Sequence, residues 1–121
     1  MGHKHGKHLL HSRDGLKIVV DDKAGRFMIE TPAGQKFLLQ DTPGRVEIND
    51  EFGNSVTLGA GGISVNASAK VTINAAVVEV NAAMVNVNAA MSNFSGVVHC
   101  DTLISNRVVS ASYSPGAGNI W

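Results

Sequence analysis

Residues 71–94 read VTINAAV, VEVNAAM, VNVNAAM and a degenerate SNF, and the reading of this seven-residue unit decides the fold. Labelled a to g, position a holds Val71, Val78 and Val85, position c holds Ile73, Val80 and Val87, and position d holds Asn74, Asn81 and Asn88. Positions e and f are alanine in each full unit. A heptad coiled coil needs apolar a and d, and an invariant asparagine at d excludes it. On a helix, position a would also lie opposite c and g, so no apolar stripe forms. Strand alternation fits instead: a and c share one face, with Thr72, Glu79 or Asn86 and the asparagines on the other. Seven is odd and the strand period is two, so the alternation slips once per unit. The Ala-Ala pair is the natural corner, and the whole predicts a repetitive β-structure that coils.

The composition agrees with a narrow, regular interior. Of 121 residues, 44% are hydrophobic but only 5% aromatic, whereas large aromatics usually dominate a round core. Lysine and arginine number 10 and aspartate and glutamate 10, for a net charge of zero, which gives no electrostatic footprint for nucleic acid. Sixteen of these twenty charges fall in the first 51 residues; only Lys70, Glu79, Asp101 and Arg107 follow. The lone cysteine, Cys100, excludes an intrachain disulfide framework. No apolar run has the length of a membrane helix or a signal-peptide core, so export by a Sec-type signal is not expected.

Residues 1–13, MGHKHGKHLLHSR, hold four of the five histidines. His3 and His5 would share a face of a strand and reach one metal ion, but a polar terminal segment explains them as well. From Asp14, turn signals recur: DG at 14, DKAG ending at Gly25, TPAG at Gly34, DTPG at Gly44, DEFGN around Gly53 and GAGG at Gly62. Between them lie LKIVV, RFMIE, QKFLLQ, RVEIN, NSVTL and ISVNA. Gly supplies positive φ and Pro presets the first turn angle, so short strands with regular punctuation predict an all-β fold. The interval shortens from nine or ten residues to seven at Val71, which reads as a taper.

Two β-branched residues per unit cannot offset the backbone entropy of ordering seven residues. Stability therefore requires stacked units, hydrogen-bonded rungs and apolar faces meeting on a shared axis. Wrapping several identical chains also removes open sheet edges. Residues 95–121, SGVVHCDTLISNRVVSASYSPGAGNIW, break the repeat, and a terminal Ile120-Trp121 requires a packing partner or an exposed role.

The segments TPAGQKFLLQDTPGRVEINDEFGNSVTL and GGISVNA, the Val-rich repeats, VVHCDTLIS and the ending SYSPGAGNIW together resemble the C-terminal needle of phage tail-spike and VgrG-type (baseplate assembly protein V-like) spikes of contractile injection systems. The resemblance covers about residues 14–121. It implies an intertwined triple-stranded β-helix, a triangular β-prism formed by a homotrimer, with residues 14–62 a wider part bearing charged turns, 63–94 the regular shaft and 95–121 the distal end. It makes Ile63, Val65, Val71, Ile73, Val78, Val80, Val85, Val87 and Phe94 interior to the trimer. It places Pro115, Gly116, Ala117, Gly118, Asn119, Ile120 and Trp121 at the end that carries a PAAR-type tip protein. The implied role is mechanical: the needle pierces a target cell's outer membrane when a sheath contracts, in a phage virion tail baseplate or a secreted injection particle such as a type VI secretion apparatus. Relatives carry upstream domains that join the baseplate and tube, so a fragment or a short member is expected here. A His-x-His iron tip found in some relatives is not matched by GNIW.

No catalytic, cofactor-binding or metal site is expected. His99 and Cys100 are adjacent, so on one strand they face apart and cannot form a nucleophile pair. Cys100 reads as a small structural residue, Asn74, Asn81 and Asn88 as an outward polar ladder lacking the carboxylates of a calcium site, and Met84 and Met91 as corner fillers. Two trimeric or enzymatic rivals remain open at this point. A receptor-binding fibre would end in a larger head, and a single-chain β-helical polysaccharide lyase would cluster carboxylates where the repeat has only Glu79. A left-handed acyltransferase-type helix runs on six-residue units, against the seven found here.

Overall fold

The structure, a computed structural model, describes residues 7–114. The described residues are all-β, with no helix, and the chain divides into two units, Met1–Val78 and Glu79–Trp121. The first unit holds seven five-residue strands: β1 Lys7–His11, β2 Lys17–Asp21, β3 Arg26–Glu30, β4 Lys36–Gln40, β5 Arg45–Asn49, β6 Ser55–Gly59 and β7 Gly62–Asn66. Each pairs antiparallel with the next, so the sheet is a simple meander in sequence order. The strands predicted between the turn signals are all present, and the chain folds back at every turn between them.

The turn chemistry explains the reversals. At one end of the sheet the loops Ser12–Leu16, Thr31–Gln35 and Asp50–Asn54 share one design, with a side-chain acceptor first and a positive-φ glycine fourth. Ser12 Oγ accepts from the Leu16 N–H at 2.9 Å and Thr31 Oγ1 from the Gln35 N–H at 3.1 Å. Asp50 Oδ1 accepts from both Phe52 and Asn54 N–H at 2.9 Å. Gly15, Gly34 and Gly53 take φ of 99°, 109° and 89°, a region closed to most side chains. At the other end the turns are four residues at 22–25 and 41–44 and two at 60–61.

A longer period underlies the glycine interval. β1, β3 and β5 begin at Lys7, Arg26 and Arg45, and β2, β4 and β6 at Lys17, Lys36 and Ser55, nineteen residues apart in each series. The repeating object is one hairpin. Successive hairpins are stitched through their loops: Gln35 Nε2 donates to Glu51 Oε1 at 2.7 Å, the Glu51 N–H donates to Gln35 Oε1 at 3.1 Å, and the Ser68 N–H donates to Asn54 Oδ1 at 2.8 Å.

Beyond Asn66 the described residues form no strand and no backbone-to-backbone hydrogen bond. The two-residue hairpin turns of the primed types need positive φ; no non-glycine residue here has it and residues 63–95 contain no glycine, so no turn of that kind forms in the repeat. Bends fall at Ala76, Ala83 and Ala90, the second alanine of each Ala-Ala pair.

Candidate functional site

The pairing register sorts the sheet into two unlike faces. Residues directly opposite in an antiparallel pair share a face. One face carries His8 and Leu10, Ile18 and Val20, Phe27 and Ile29, Phe37 and Leu39, Val46 and Ile48, Val56 and Leu58, and Ile63 and Val65. Every position except His8 is apolar. The other face has a middle row, Leu9, Val19, Met28, Leu38, Glu47, Thr57 and Ser64, flanked by two rows rich in charge.

Burial runs against the apolar pattern. The buried residues are Val19 at 3%, Leu38 at 7% and Glu47 at 7% exposure, all in the middle row of the charged face. Long flanking side chains cover that row with their stems while their heads stay in water. Lys17 and Glu30 face each other with 3.3 Å between Nζ and Oε1. Glu47 is the focus of a denser group: Arg45 bonds its Oε2, Asn49 Nδ2 donates to Oε1 at 2.8 Å, and Lys36 Nζ lies 3.3 Å from Oε1. The hydrogen bond from Arg45, then that from Asn49, holds the Glu47 carboxyl below the usual carboxylate range against the opposing effect of burial. Asp50 is also held low, first by the Asn54 side-chain amide and then by backbone N–H groups of its loop.

The apolar face is open. Ile48, Leu39 and Leu58 are exposed, and Ile63 is 71% exposed. Toward the five-residue loops this face deepens into an open groove of about 640 Å³ lined by Ile29, Phe37, Ile48, Val56 and Val65. The chain leaving β7 supplies a further wall through Ala67, Lys70 and Val71. Val65 and Val71 therefore meet in one groove. The remaining residues expected to be interior, Ile73, Val78, Val80, Val85, Val87 and Phe94, are exposed in the single chain.

Reasoning from the sequence missed the larger part of this surface. The apolar face begins in β1 and β2, whereas the interior set was started at Ile63; the signal was already present in the strict alternation of Ile18 with Val20 and of Phe27 with Ile29. Residues 115–121, expected to carry a tip protein, and the histidines His3 and His5 lie outside the described residues. Among the described residues no group of three or more His, Cys, Asp or Glu is placed to hold a metal ion. The surface therefore offers a broad apolar contact. With its geometry in view, the comparison with known families is specific. A family model described as the phage baseplate V C-terminal trimerisation domain matches residues 26–93, more than half of the chain and the span from β3 through the seven-residue units. No curated protein matches the chain.

Proposed function

The chain belongs to the phage baseplate V C-terminal trimerisation domain family, and from that premise we propose that three identical copies close their apolar faces on one another to build a membrane-piercing needle. The coarse role is a structural one in the phage baseplate. The finer reading is that the needle acts mechanically, without catalysis, and hands axial force from the baseplate to a target cell's outer membrane.

One observation carries this reading. A seven-stranded sheet presents a face that is apolar at every position but His8 and leaves Leu39, Ile48, Leu58, Ile63 and Val65 on it exposed, while the buried residues Val19, Leu38 and Glu47 lie on the other face. Each Val, Leu, Ile or Phe taken from exposure to full burial contributes roughly 1.5–3 kcal/mol, and contiguous exposed apolar surface of this kind marks an interaction site. Three copies around an axis satisfy the face with itself and close the sheet edges. On this reading Ile63, Val65, Val71, Ile73, Val78, Val80, Val85, Val87 and Phe94 point to the axis, joined by the apolar residues of β2 to β6. Residues 115–121 carry a PAAR-type tip protein, and upstream domains connect the needle to baseplate and tube.

Light scattering on the purified chain tests the core of this reading. The expected mass is three times the 12.7 kDa of one chain. A stable folded monomer sinks it. Pull-down of a PAAR-type protein tests the finer role; retention of whole cells instead favours a receptor-binding fibre.

A further inference from the structure

The seven-residue units cannot set their own register. A shift of one unit between copies brings valine to valine at a, Ile73 to Val80 or Val80 to Val87 at c, asparagine to asparagine at d and alanine to alanine at e and f. Only b and g otherwise change residue type along the repeat. Among the described residues the chain beyond Asn66 makes no backbone-to-backbone hydrogen bond of its own, and N–H and C=O groups that leave water require partners. A copy shifted by one unit supplies such partners as well as a copy in register does. Whatever fixes the register therefore lies outside the repeat.

A built link joins the sheet to the chain that enters the repeat. Gln35 stitches its loop to Glu51 in the next, and Asn54 continues the series, but its partner Ser68 lies past β7, in the chain that leaves the sheet shortly ahead of Val71. Asn54 Oδ1 accepts from the Ser68 N–H at 2.8 Å and Asn54 Nδ2 donates to Asp50 Oδ2 at 2.7 Å, so the amide is engaged at both ends and faces one way. Asp50 Oδ1 in turn accepts from the Asn54 N–H at 2.9 Å. The chain passes close to this loop: a Cβ placed on Gly53 would stand 3.7 Å from Ser68 Cβ. Just beyond, Lys70 and Val71 join the groove wall with Val65.

We propose that Asn54 is the positioning residue of the repeat: by holding Ser68 against its own sheet it starts the first seven-residue unit at the same height in every copy, and so sets which units of the three copies pair. The inference rests on the trimer proposed above. In a closed threefold assembly identical residues lie at one height around the axis. The sheets carry the information that the repeat lacks, because their apolar face is not the same from hairpin to hairpin. Phe27 and Phe37 stand where Val46 and Val56 stand one hairpin later, so a slip of one hairpin between copies sets phenylalanine where valine belongs. Asn54 hands the alignment of the sheets on to units that cannot align themselves. Pairing then propagates outward from Val71, unit by unit.

The test uses the full chain in a Cys100→Ser background, which removes the lone thiol. A nitroxide spin label is attached at Thr57→Cys, on the charged face of the sheet, or at Asn88→Cys, a d position of the repeat. Pulsed electron paramagnetic resonance gives the interchain distances and light scattering the mass. The parent trimer is expected to give a single distance at each site. Asn54→Ala should keep the mass and the single Thr57 distance but add further distances at Asn88. Ser68→Pro removes the same N–H while leaving the loop intact; it should do likewise, and serves if Asn54→Ala does not fold. Gln35→Ala, which removes the preceding stitch, should lower the melting temperature without splitting the Asn88 distance. A single Asn88 distance in both Asn54→Ala and Ser68→Pro overturns the positioning role and leaves the trimer standing. Splitting in the parent, or equal splitting with Gln35→Ala, overturns it too. A monomer, or no interchain distance at either site, overturns the trimer and the positioning role with it.

Discussion

Lys36 Nζ lies 3.3 Å from Glu47 Oε1 although the two residues are not opposite in register: Lys36 pairs with Asn49 and Glu47 with Leu38. The contact is a diagonal across β4 and β5, and it brings a third donor to a carboxylate already held from its own strand by Arg45 and Asn49. A buried carboxylate is tolerated when its lone pairs are filled. Here they are filled from three directions, so Glu47 can sit in a row that otherwise buries Val19 and Leu38.

Glu47→Ala is expected to cost about 1–3 kcal/mol, because the Arg45 and Asn49 donors and the Lys36 ammonium are left facing a void. Glu47→Leu should cost less, since it restores the apolar row. Urea denaturation at fixed protein concentration measures both; equal costs would contradict the account.

The same carboxyl gives stability a pH dependence. Its folded pKa lies below the ordinary value of 4.5. The stabilisation is therefore complete above that value and is lost as pH falls through the lowered one. Melting temperatures recorded from pH 7 to pH 3 should fall in this acid window for the parent chain and fall less for Glu47→Gln.

Gly15→Ala should destabilise by about 1–3 kcal/mol, from a strained left-handed backbone. An added Cβ would also stand 3.0 Å from Pro32 Cγ, in a rigid ring of the neighbouring loop. Gly44→Ala is the control: its Cβ would meet nothing nearer than 3.7 Å and its φ is not positive. Its effect should stay within about 0.5 kcal/mol.

Asp50→Ala should lower the melting temperature by releasing the Phe52 and Asn54 N–H groups and the Asn54 amide. Asp50→Ser should recover most of the loss, because Ser12 and Thr31 hold the equivalent first place of the other two loops. Thermal melts of the three chains decide this, and no recovery with serine would mean that the loops are not equivalent.

Phe37→Asp and Thr57→Asp compare the two faces. Phe37 lines the apolar groove and Thr57 lies in the middle row of the opposite face. Phe37→Asp is expected to reduce the mass by light scattering to that of one chain, while Thr57→Asp leaves association intact.

The strands and turns were legible because they rest on local chemistry. Of the glycines picked out as punctuation, Gly15, Gly25, Gly34, Gly53 and Gly62 take positive φ and Gly44 does not, and the slip of a seven-residue unit against a two-residue period put the corners at the Ala-Ala pairs. Burial was less legible. Alternation shows that Ile18 and Val20 share a face, but it does not reveal that Val19, on the charged face, is the buried one in the single chain.

The nineteen-residue hairpin also makes the sheet a ruler. Joining Glu30 to Asp50 removes one loop, one turn and two strands, yet the loop that takes their place has the same design and returns the chain on the same face. Insertion of a further hairpin does the reverse. Each exchange changes the sheet by two strand spacings, about 9–10 Å, without moving any side chain from one face to the other. Length can thus be selected in whole steps by duplication within a gene, independently of the residues that bring the copies together.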